Sequence, residues 1–177
     1  MADYTLADRE SGILGQEFLT WLWFKSEVLS GLFKTSKGEH FTVFVEQRVS
    51  VEGGEGDTKE TATVSGMHSE LREARLGLRN GKKVNKALLK FEQDPEEWTM
   101  MLKAEDFGVG PLKTPKVETK REEGDDPDAA FLEKFYLIEK SAAFLDCVFE
   151  EFLRLRLSPS KWEEEVREFS EWVLKEG

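Results

Sequence analysis

Two histidines, His40 and His68, and one cysteine, Cys147, are the only side chains of their types in the chain. These types carry most nucleophilic and acid–base chemistry near neutral pH. Each histidine falls at a strand edge or just ahead of a helix, with no nucleophile signature beside it, and reads as a structural or surface residue. Cys147 lies within an apolar helical pattern, where a buried inert thiol is the plainer reading. A single cysteine also removes every disulfide framework and every multi-cysteine zinc site. No Gly-x-Ser-x-Gly, Walker loop or His-Glu-x-x-His occurs, and Gly108-Val109-Gly110 lacks the third glycine and following helix of a dinucleotide loop. One enzyme pattern is worth weighing. Metal-dependent nucleases combine an upstream acid with Glu-x-Lys, the carboxylates holding Mg²⁺ and the lysine orienting the attacking water. Asp94 or Asp106 could supply that acid and Glu118-Thr119-Lys120 the triplet. Such a triplet arises readily in a chain that is 34% charged, and here it falls in loop-like sequence instead of on a strand. Glu122-Glu123-Gly124-Asp125-Asp126 lacks the spacing of a calcium loop and reads as a solvated linker. The sequence predicts no catalytic residue, no metal and no cofactor.

Binding is the stronger signal. Between Leu71 and Phe91 stand seven basic residues, Arg72, Arg75, Arg79, Lys82, Lys83, Lys86 and Lys90, against one acid, Glu73. That balance of +6 leaves −17 for the rest of a chain whose net charge is −11. At 100° per residue, Arg72, Arg75 and Arg79 fall within about 60° of one another on a short helix. Lys86 and Lys90 project from one face of the strand that follows. The pattern predicts a compact cationic face across two elements, suited to phosphate contacts without base reading. The competing reading pairs these cations with the protein's own acidic helices or with a partner subunit.

Helical spacing of Leu14, Phe18, Trp21, Val28 and Leu32 predicts a first helix from Ile13 to Leu29. Trp21-Leu22-Trp23-Phe24 makes it apolar nearly all round, so it is either buried on several sides or covers a partner. Phe18, Trp21, Trp23 and Phe24 are therefore interface candidates. Alternation predicts a strand from His40 to Glu52 with a bulge near Glu46-Gln47, a turn at 53–57 and a polar return strand from Thr58 to Ser65. A helix capped by Ser69 runs to Asn80 and is closed by Gly81. Strands follow at Val84–Phe91 and Trp98–Lys103 around a turn at Gln93-Asp94-Pro95-Glu96. Three glycines, two prolines and many charges make residues 105–126 a mobile connection. Asp126-Pro127 opens a long helix in which Phe131, Phe135, Ile138, Ala142, Leu145, Phe149 and Phe152 step by four and three. Ser160 with Glu163 forms a capping box for a last helix striped by Trp162, Val166, Phe169 and Val173.

These elements predict an α+β fold, with an antiparallel sheet of about four or more strands packed against long C-terminal helices and the aromatic N-terminal helix. A length of 177 residues suits a single domain over 1–177. Hydrophobic residues at 39% suffice for a core. An acidic chain repels nucleic acid and anionic membrane except at a local basic patch. Met1-Ala2-Asp3-Tyr4 opens no signal peptide and Ile13–Phe24 is too short to span a bilayer, so a cytoplasmic protein with no membrane partner is expected.

A resemblance adds to this reading. Leu78-Arg79-Asn80-Gly81-Lys82-Lys83-Val84, a strand ending in Phe91, a return strand containing Trp98, Pro111-Leu112-Lys113 and Asp126-Pro127 opening a Phe/Leu-rich helix together resemble the C-terminal half of recombination-associated proteins of the RdgC family. Gly15-Gln16-Glu17-Phe18-Leu19-Thr20-Trp21-Leu22-Trp23 is similar to a segment of short bacterial members. The resemblance implies a nonenzymatic homodimer that binds duplex DNA with little sequence preference and restrains recombination, with DNA or a recombination protein as its partner. It carries over the basic segment as a DNA-facing surface and no individual contact. The alternative expectation is an acidic protein-interaction module that holds a partner through the aromatic first helix.

Overall fold

A computed structural model describes residues 14–53, 60–65, 72–117 and 128–175. His68, Ser69, the triplet Glu118-Thr119-Lys120 and the acidic run 122–126 lie outside the described residues. The chain forms helix α1 (Leu14–Val28), strands β1 (Leu32–Lys34), β2 (His40–Gly53) and β3 (Glu60–Ser65), and helix α2 (Arg72–Arg79). Strands β4 (Lys83–Gln93) and β5 (Glu96–Lys103) follow, then helices α3 (Ala129–Arg156) and α4 (Pro159–Leu174). The fold is α+β. Its five-stranded antiparallel sheet runs β2, β4, β5 from one edge, and β1 and β3 share the free side of long β2. The bulge predicted near Glu46 is present as a register shift between Glu46 and Val49.

Alternation decides which face of the sheet is dry. Phe41, Val43 and Val45 of β2, Leu89 and Phe91 of β4, and Trp98, Met100 and Leu102 of β5 are buried. The intervening Phe44, Leu88, Lys90, Thr99 and Met101 stay half-exposed. On the dry face α1 lies against β2 and β4, with α3 and α4 packed over it. This layering is why α1 is apolar all round: every residue from Gly15 to Ser26 is buried. Phe18 and Trp21 are 0% exposed and Trp23 and Phe24 are 1%. The four interface candidates are therefore core residues, and the reading of α1 as a partner surface is corrected. Their rings meet Phe149 and Phe152 of α3 and Phe169 and Trp172 of α4 within the chain. Each such side chain contributes about 1.5–3 kcal/mol on burial.

Two positions show how tightly α1 is seated. A Cβ on Gly15 would lie 2.1 Å from the Ala104 carbonyl oxygen. Gly31, at φ +60°, turns the chain out of α1 with Ser30, and a Cβ there would lie 1.9 Å from the Val43 carbonyl oxygen. That left-handed turn ends the helix and creates β1, a strand the sequence pattern does not predict. The charges of α1 are satisfied by the other helices. Arg156 Nε donates to Glu17 Oε2 at 2.7 Å. Lys25 Nζ and Trp21 Nε1 donate to the two oxygens of Glu165 at 2.7 and 2.9 Å.

Residues 105–117, the first part of the expected connection, run beside β5. Thr99 and Lys113 exchange both backbone hydrogen bonds and the Gly110 N–H donates to the Met101 carbonyl. Residues 118–127 lie outside the described ones. At α4 the cap is Ser158 with Pro159 in the first turn, so Ser160 and Glu163 do not form the capping box expected of them.

Candidate functional site

The basic segment does not assemble into one face. Helix α2 packs on the dry side of the sheet and turns Arg75 and Arg79 toward α4. The Arg75 guanidinium sits 4.2 Å from the centre of the Trp172 ring, and burial there holds it below its ordinary pKa, with Glu27 opposing and Arg79 adding to the effect. Arg79 donates from Nε to the Val173 carbonyl at 2.7 Å and from Nη2 to the Lys175 carbonyl at 2.9 Å. It thereby closes the C-terminus of α4, where a cation is favoured by the helix dipole. Lys83 is buried, with Nζ 3.4 Å from the Gly81 carbonyl, and Lys82 is half-buried. The side chain of Arg72 lies outside the described ones.

Lys86 and Lys90 point to the opposite, half-exposed face of the sheet, because they alternate with buried Ala87, Leu89 and Phe91. Lys90 is enclosed by carboxylates, with Glu92 at 2.5 Å, Glu97 at 3.2 Å and Glu46 at 3.9 Å. The hydrogen bond that Lys90 donates to Glu92 foremost, and that to Glu97, hold its pKa above the ordinary value against the opposing effect of burial. Four of the seven candidates, Arg75, Arg79, Lys83 and Lys90, thus serve contacts within the chain. The predicted single cationic face is corrected on that ground: its two elements present their cations to opposite sides of the sheet.

Lys86 differs. It stands directly across the β4–β5 ladder from Lys103, and neither makes an ion pair among the described residues. Like charges placed opposite one another destabilise a sheet. Lys113 shares their face through its bridge to Thr99. Lys103 and Lys113 were not among the sequence-derived candidates, since only the strand register sets Lys103 opposite Lys86 and puts Lys113 on the same face four residues along, at Thr99.

The catalytic candidates stay apart. Asp106 Oδ1 accepts the Gly108 N–H at 2.7 Å and shapes a turn. Asp94 is exposed in the β4–β5 turn. The Cys147 thiol donates to the Lys34 carbonyl at 2.9 Å, and burial first, then Glu151 and Glu150, push its pKa up. That is the environment of an unreactive thiol. A groove of about 680 Å³ separates the 34–39 turn from α3, but charges of both signs line it, among them Lys37, Glu39, Asp146 and Arg154. Among the described residues no group of three or more His, Cys, Asp or Glu could hold a metal ion.

An uncovered apolar face lies at the start of α3. Phe131 is 71% exposed, Leu132 57%, Phe135 52%, Tyr136 58% and Ile138 41%. This half of the helix is fixed to the body along its other side. Trp98 Nε1 donates to the Leu137 carbonyl at 3.0 Å, Leu137 is buried, and Lys140 Nζ meets Glu96 at 2.6 Å. The apolar face is therefore held outward by anchors on β5. The sequence showed the stripe and gave no sign of where along α3 its covering would stop.

Among the described residues no helix is long and apolar enough to cross a membrane. Comparison of the chain with protein-family models, with curated proteins and with solved structures returns no match.

Proposed function

We propose that this chain is a nonenzymatic binding protein that works as a protein-interaction module, with the outward face of the first turns of α3 as its contact surface. One observation carries the reading: three aromatic and two aliphatic side chains stand exposed together on a helix that is anchored from behind. Contiguous patches of this kind mark protein interfaces on soluble domains. The aromatic first helix no longer serves as that surface, because it is core. A photoreactive phenylalanine analogue at position 135, in the native host, should yield protein adducts, and the same analogue at exposed Leu157 should not. Equal adducts at both positions, or none at 135, would remove α3 as the contact surface.

The Lys86–Lys103 pair, which makes no ion pair among the described residues, favours a second reading, the DNA-binding protein implied by the resemblance to the RdgC family. In this reading phosphates lie over the open face of the sheet, near Lys86, Lys103 and Lys113, and Arg75 and Arg79 take no part. Retardation of duplex DNA at low salt that disappears in Lys86→Glu/Lys103→Glu supports it. Retardation unaffected by that pair of changes counts against it.

A further inference from the structure

The apolar stripe of α3 has two halves with different fates. Phe131, Phe135, Ile138 and Ala142 fall within about 60° of arc, stepping by four, three and four as helix-pairing seams do. Leu145, Phe149 and Phe152 continue the same stripe. In the lower half the chain fills its own seam: Phe149 packs on Phe18 with ring centres 5.1 Å apart, and Phe152 on Trp21 at 5.5 Å. In the upper half the seam is exposed. A seam of this spacing fits the ridges of another helix that repeats it.

We infer that the upper half of α3 pairs with the same segment of a second copy, around a two-fold axis that sets the two helices antiparallel. This rests on the reading of α3 as an interaction surface and names the occupant. Three observations favour a second copy. An apolar stripe is complementary to itself, as an isologous contact requires. The exposed fractions of Phe131, Leu132, Phe135, Tyr136 and Ile138 amount to roughly 500 Å² on a scale of 150–250 Å² per aromatic side chain. Complete burial of all five on both copies would remove about 1,000 Å² from water, the size at which specific interfaces begin. The local charge also permits the approach. From Asp128 to Phe144 the charged residues are Asp128, Glu133 and Glu139 against Lys134 and Lys140, a sum of −1, in a chain whose total is −11. Two acidic molecules meet with little repulsion along this stretch.

Sedimentation velocity of the full chain, from low to high micromolar concentration, should show a dimer. Phe131→Glu/Phe135→Glu should weaken it by about 100-fold or more while circular dichroism stays native, since both side chains are exposed. Leu157→Glu, at the far end of the same helix, should leave the dimer intact. If the double variant loses helix content, Phe131→Ser at the most exposed position is the replacement. A wild type that is monomeric throughout, or a dimer that survives these changes, overturns the inference. The adducts at position 135 separate the two levels of the argument. Twice the chain's mass supports pairing of copies. Any other mass with monomeric sedimentation overturns the second copy and keeps α3 as an interaction surface, and no adduct at all overturns both.

Discussion

Arg79 commits its guanidinium to two carbonyls that α4 leaves unpaired at its end, those of Val173 and Lys175. Hydrogen bonds from a charged donor contribute about 1.5–3 kcal/mol when buried. With one of the two exposed, Arg79→Ala should cost about 1 kcal/mol, seen as a fall of about 2–4 °C in Tm for a chain of this size. An Arg79 free to meet phosphate would leave Tm unchanged on replacement. Lys90 makes a related case with a pH signature. Its folded-state pKa is raised, so its contribution is complete at neutral pH and fades as pH rises through that raised value, above the ordinary 10.5. Lys90→Met should lower the unfolding free energy measured in urea at pH 7, by no more than about 1 kcal/mol for a pair this near the surface. The gap between variant and wild type should narrow when both are unfolded above the wild-type lysine's pKa. A gap that widens there would assign the loss to packing and not to the ammonium.

Helix α1 shows what an element's sequence can and cannot disclose. Trp21-Leu22-Trp23-Phe24 required burial on several sides, and that much was legible. Whether the second cover was a partner or the chain's own α3 and α4 was not, because that depends on contacts more than a hundred residues apart, such as Trp21 with Glu165. Strands β2, β4 and β5 were legible from alternation, including the bulge, because a dry face imposes a period of two. Strand β1 was not, since its three residues follow a left-handed turn at Ser30 and Gly31 and carry no period of their own. The cationic face failed for a similar reason. Helical and strand periodicities fix which residues share a side within an element, whereas the side of the sheet on which α2 packs is a tertiary fact. The burial of α1 gives a direct test. Trp23→Glu places a carboxylate in a site that is 1% exposed, against the Trp172 ring at 5.5 Å. Loss of a large core aromatic alone costs about 3–5 kcal/mol, and an unpaired charge adds to it. Purified Trp23→Glu should lack a cooperative thermal transition near the wild-type Tm. A native-like transition in that variant would return α1 to the surface.

At the scale of the whole molecule, net charge decides between the two binding readings through the sign of a salt effect. The chain carries −11, so two copies repel one another wherever their acidic surfaces come within a Debye length, about 10 Å at 0.1 M salt. Pairing through the near-neutral stretch of α3 gains its free energy from apolar burial, which moderate salt does not weaken, while the background repulsion is screened. Association of copies should therefore tighten by a few-fold as salt is raised from low to physiological ionic strength. Contact with DNA works the other way. Each phosphate neutralised releases counterions, so log K falls with log salt at about −0.9 per contact, and Lys86, Lys103 and Lys113 would give a slope of roughly −2.7. The acidic background would make that slope shallower, because its repulsion of the duplex is strongest at low salt and is screened as salt rises. Sedimentation of the chain alone, and retardation of a duplex, across one salt series should separate the cases. Dimer formation that strengthens with salt, with duplex binding absent throughout, supports association through α3. Dimer formation that weakens with salt would show that complementary charges hold the copies together, and the contact would then belong to a lysine-bearing surface and not to the aromatic stripe.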